Sequence, residues 1–77
     1  MQDKHLRPLS AVTAGETVKL VKIEAGRGLN SRLASMGLHP NVEITVVRND
    51  HPGPFVISVK SSKMMLGRGI AHKIMVL

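Results

Sequence analysis

The sequence predicts a small, mainly β domain, with five short strands closing into a barrel or sandwich and one short helix inserted after the first strand. Three observations carry this prediction. Apolar-rich runs recur about every ten residues, with Gly, Pro and Asn between them. Two of those runs alternate apolar with polar residues at the strand period. The chain's 77 residues suffice for a single domain over 1–77 and not for a second one.

At the amino end, Leu9-Ser10-Ala11-Val12 reads as one helical turn covering an open end of the barrel. The first strand runs from Thr17 to Glu24 after Ala14-Gly15-Glu16, where Gly15 supplies the positive φ of a type II turn. Its apolar residues are Val18, Leu20, Val21 and Ile23, and the change of parity at Leu20/Val21 predicts a bulge or a sharp bend. In the helix, Leu29, Leu33 and Met36 form an apolar stripe at i, i+4 and i+7, with Asn30, Ser31 and Ser35 facing away. Gly37 suits the left-handed position beyond the helix, with Leu38 folding back as in a Schellman cap. Pro40-Asn41 fits the centre of a type II turn.

In the second strand Val42, Ile44 and Val46 alternate with Glu43, Thr45 and Val47. After a turn over Asn49 to Pro54, Phe55, Ile57 and Val59 alternate with Val56, Ser58 and Lys60, so the pair reads as a hairpin. Ser61-Ser62 is expected to turn the chain into a short strand, Lys63 to Leu66. Gly67-Arg68-Gly69 permits a tight turn or a single 3₁₀ turn. The last strand spans His72 to Leu77 with Ile74 and Val76 inward, and because the chain stops inside it a stand-alone module is expected.

Composition narrows the function classes. With no cysteine, the chain has no disulfide, thiolate metal site or cysteine nucleophile, and the cytosol is the default compartment. No apolar run approaches the roughly 18 residues of a membrane helix, and Met1 to His5 lead into no signal-like segment. Eleven Lys and Arg against five Asp and Glu give a charge of +6, which calls for an acidic partner: nucleic acid, anionic lipid or an acidic protein. Phe55 is the one aromatic residue, whereas single-strand nucleic-acid binders and proline-peptide grooves rely on several. A basic barrel binding nucleic acid stays as the alternative reading.

The run Arg32-Leu33-Ala34-Ser35-Met36-Gly37-Leu38-His39-Pro40-Asn41, with Ala14-Gly15-Glu16 before it and Val42 to Val47 after it, resembles the core domain of the FeoA family. Leu66-Gly67-Arg68-Gly69-Ile70-Ala71 ahead of Ile74-Met75-Val76 resembles it too, so the likeness spans about Leu6 to Leu77. The resemblance implies an SH3-like barrel with its helix after the first strand. It also implies a small cytosolic accessory of bacterial ferrous iron transport. Such proteins work with FeoB, a membrane permease carrying a GTP-binding domain, so contact with the membrane comes only through that partner. A similar domain ends iron-dependent repressors, but this chain is too short to carry their DNA-binding domain as well. Asn41 stands where the family usually has Gly and Ala14 where it often has Pro; both suit type II turns.

Chemistry finds few candidates. His5, His39, His51 and His72 sit singly on a tail, two turns and a strand, so no metal-ligand set and no cofactor site is read, despite the family's link to iron. Pro40 and the strand after it deny His39 and Glu43 the helical spacing that would bring them together. The carboxylates Asp3, Glu16, Glu24, Glu43 and Asp50 are scattered, with no serine beside a His–acid pair, so no enzyme is expected. Gly26-Arg27-Gly28 shares two glycines with a dinucleotide fingerprint, but Ser31 stands where the third belongs.

Protein binding remains, and its candidate residues are Arg27, Leu29, Arg32, Met36, Met64, Met65 and Arg68. Arg27 and Arg68, in glycine-flanked loops, are either solvated or contacts for an acidic surface. Arg32 either lays its stem on the barrel while its head caps a carbonyl or pairs with Glu16 or Glu24, or meets a partner. Met64 and Met65 are consecutive in a strand, so one must point outward. Self-association is left open.

Overall fold

The computed structural model describes residues 5–50 and 52–77. Its strands are β1 (Arg7–Pro8), β2 (Thr17–Ile23), β3 (Glu43–Asn49), β4 (Phe55–Val59), β5 (Ser62–Leu66) and β6 (Ile74–Val76). They form one antiparallel sheet in the order β1-β6-β2-β3-β4-β5, curled around a single core in an SH3-like fold. The expectation of five strands in a closed barrel is corrected on two counts. The sheet stays open between its edges β1 and β5, and it has a sixth strand. That strand is two residues long, pairing Arg7 with Val76 and Pro8 with Met75. Two residues show no alternation, and a proline ordinarily argues against a strand except at an edge, which is where this one lies.

The bulge expected in β2 is present, since the register with β6 shifts between Leu20 and Lys22. Val18 and Leu20 are buried, and past the bulge the inward residue is Ile23. The bend lets one strand serve two neighbours. Its first half pairs with β3 through Thr17↔Thr45 and Val18↔Ile44, and its second half with β6. A second bulge lies between Val46 and Arg48 in β3, where alternation in the sequence ends without announcing it.

The inserted helix α1 covers Arg27–Ser35. Leu33 is its buried anchor, and Leu29 packs partly on the core. Met36, expected in the stripe, is instead the C-cap residue and is 47% exposed. Asn30, expected to face away, turns its side-chain amide back onto the Ala25 and Gly26 carbonyls at 2.7 and 3.0 Å. The Schellman cap forms as read: Leu38 N donates to Leu33 O at 2.8 Å, Gly37 N to Ala34 O at 2.9 Å, and Gly37 has φ 94°. Gly15 and Asn41 likewise take positive φ in their turns.

Gly67-Arg68-Gly69 opens a second helix, α2 (Arg68–Lys73), in place of the expected tight turn, and this shortens the last strand. Neither glycine uses positive φ, and α2, with Ala71 wholly buried, packs against the 3₁₀ turn Leu9–Ala11. The turn before β5 also moves by one residue. Lys60 and Ser61, at φ 50° and 68°, are its central pair, so Val59 faces Ser62. The core comprises sixteen apolar side chains and, among the described residues, no polar one. Asp3 and His51 lie outside the described residues.

Candidate interaction surface

The predicted contact residues fall on three elements. On α1, Arg27 and Arg32 are exposed and Leu29 is half-buried, with Met36 at the carboxyl end. The helix has no acidic residue in its first turn, and Arg27 opens it. A cation there opposes the helix dipole, which favours negative charge at that end. Arg32 pairs with neither Glu16 nor Glu24. Glu16 is held by Arg7 at 2.7 Å and Glu24 by Lys22 at 3.4 Å. Among the described residues, Arg27, Arg32, Lys60 and Lys63 have no ion pair.

On β5 the alternation places Met64 inward, half-buried against the core, while Met65 points out and is 70% exposed. Arg68 is the correction in the set. It is half-buried, and its guanidinium bonds Asn49 Oδ1 at 2.7 Å and the carbonyls of Asp50 and Gly53. It also stacks 5.7 Å from the centroid of the Phe55 ring. A loop glycine on each side suggested a solvated charge, but the start of α2 turns this one inward to hold the β3–β4 loop. Asn49, which the sequence marked only as turn-forming, is the residue missed, because nothing local announces a contact across 39 positions.

Two open clefts flank the sheet. The larger, of about 590 Å³, lies over β3 and β4 and is lined by His39, Asn41, Glu43, Thr45, Ser58 and Lys60. His39 and Glu43 thus share a cleft despite lacking helical spacing, because the Pro40–Asn41 turn folds back beside the strand that carries Glu43. His39 Nδ1 lies 3.1 Å from the Pro40 carbonyl. The smaller cleft, of about 240 Å³, includes Glu24, His72 and Met75. Outside its lining, Ser10 Oγ sits 3.5 Å from His72 Nδ1, exposed and long, while Glu24 is engaged by Lys22. Among the described residues no three His, Asp or Glu side chains converge as a metal site would need. Phe55 is 1% exposed, so it offers bases no surface to stack on.

The profile of the FeoA domain matches residues 7–77. The chain belongs to the FeoA family. It is 46% identical over 69 residues to an inferred Fe(2+) transport protein A of Methanocaldococcus jannaschii, covering 90% of this chain and 83% of that one. Among solved structures, an iron uptake regulatory protein, FeoA, superposes with a TM-score of 0.84 at 34% identity, over 96% of this chain and 97% of that one. FeoA from Chlorobium tepidum superposes at 0.80 with 24% identity, over 90% and 67%. A manganese-dependent transcriptional repressor shares the fold at 0.86 and 23% identity, and this chain spans 43% of it. The family match covers the fold from β1 through β6, including the helix inserted between β2 and β3. No described helix is long and apolar enough to cross a membrane.

Proposed function

We propose that this FeoA protein is a cytoplasmic accessory of ferrous iron uptake that binds the cytosolic GTP-binding part of a FeoB-type permease. It modulates transport by association alone, with no catalysis of its own. The observation that carries this reading is the family match over residues 7–77, joined to a relative named for Fe(2+) transport. The surface supports it. Exposed cations on α1 and beside β5, together with Met36 and Met65, suit an adaptable contact with an acidic protein.

The test is co-purification of the tagged chain with the permease, alongside iron uptake in a strain lacking the protein. Association and reduced uptake, restored by the wild-type chain, are expected. Normal uptake with no detectable association would sink the reading. A steep salt dependence of binding to generic DNA or RNA would point to nucleic acid instead.

A further inference from the structure

The turn before β5 determines which backbone groups that strand leaves unused. With positive φ at both Lys60 and Ser61, the two-residue loop is of type I′. Such a turn closes with the Ser62 N–H on the Val59 carbonyl, so Val59↔Ser62 is a hydrogen-bonded pair. Along an antiparallel ladder bonded and non-bonded pairs alternate. Ile57↔Met64 and Phe55↔Leu66 are therefore bonded, while Ser58↔Lys63 and Val56↔Met65 are not. The N–H and C=O groups of Lys63 and Met65 consequently point away from β4. Among the described residues no strand lies on that side.

This edge has a definite chemistry. Lys63 and Met65 are exposed on the outer face, Lys60 stands at the adjoining turn, and neither lysine has an ion pair among the described residues. On the inner face Met64 is half-buried and Leu66 is buried. A second copy of the chain would bring the same lysines and another +6 to the edge, and like charges across a strand pair are destabilising. A strand with carboxylates on its outer face and apolar residues on its inner face matches both.

We propose that the free edge of β5 takes an extended, acidic segment of a partner protein as a seventh strand. Backbone bonds to Lys63 and Met65 supply the pairing, and the lysines select for acidic side chains. The proposal concerns the chemistry of the segment and stands apart from the permease reading, because its test contains no permease.

The full ¹⁵N-labelled chain is titrated with a blocked hexapeptide alternating Glu and Val, and separately with its Lys–Val counterpart. The Glu–Val peptide is expected to shift amides in Ser62 to Leu66 and to slow hydrogen exchange at Lys63 and Met65. The Lys–Val peptide is expected to do neither. Met65→Pro removes an N–H that β4 does not use, so it leaves the remaining spectrum in place and abolishes the response. Lys63→Glu, which leaves the backbone unaltered, reverses the preference between the two peptides. The proposal is overturned by no shift at millimolar Glu–Val peptide, by equal response to both peptides, or by binding that survives Met65→Pro. Shifts confined to α1, or self-association through β5, would overturn it equally.

Discussion

Arg68 donates to Asn49 Oδ1 at 2.7 Å, while the amide of the same Asn49 donates to the carbonyls of Ser10 and Val12 at 3.1 and 2.8 Å. One half-buried side chain thereby ties α2, the end of β3 and the 3₁₀ segment to one another. Asn49→Ala strands three partners at once and is expected to cost about 1–3 kcal/mol. Arg68→Lys keeps the charge but loses the fork that spans Asn49 and the loop carbonyls. Because the two residues share a network, the double variant should cost less than the sum of the singles. Urea midpoints of the four proteins, at unchanged m, measure this; strict additivity would contradict it.

Glu16 carries a pH signature. The Arg7 guanidinium, then the Thr13 N–H, hold its carboxyl below the ordinary glutamate value of 4.5. A carboxyl with a lowered value in the folded state binds its proton more readily when unfolded. Its stabilisation is therefore present above 4.5 and is lost as pH falls through the lowered value. Glu16→Gln is expected to unfold at lower urea than wild type at neutral pH. The two midpoints should converge in acid. A gap that stays constant with pH would rule out the ionised pair as its origin.

Much of the fold was legible because local rules and the global fold agree. Ile44, Val46, Ile57 and Val59 alternate as a half-buried hairpin must, and all are buried. Gly37 and Asn41 carry their turn chemistry on their faces. The misses have physical causes too. β1 is too short to show a period, and the helix over Arg68–Lys73 hides behind two glycines, its stability coming from the tertiary burial of Ala71. The surface was legible only in part. That one of Met64 and Met65 faces outward follows from strand parity, whereas the inward turn of Arg68 depends on Asn49 and Phe55, which meet it only after folding.

Gly37 tests the helix end in isolation. A methyl added there meets nothing within 4 Å, so the cost of Gly37→Ala comes from φ 94° alone. It is expected to be roughly 1–2 kcal/mol. Leu33→Ala, which empties the anchor of α1, should cost about 2–5 kcal/mol. Thermal unfolding of both variants checks the order, and a Gly37→Ala effect as large as that of Leu33→Ala would mean that the methyl is crowded after all.

Arg27 separates function from stability most sharply. It opens α1, where the helix dipole favours an anion, and it has no ion pair among the described residues. Arg27→Glu should therefore stabilise the helix slightly, by about 0.3–1 kcal/mol. If α1 meets an acidic partner, the same change repels it, so association should fall while the unfolding midpoint rises. Arg32→Glu, in the last turn, reverses a charge that the dipole favours and should lower both. Co-purification with the permease, measured beside urea unfolding for the two variants, reads the signs directly. Undiminished association in both would exclude α1 from the contact and leave the β5 edge as the surface to pursue.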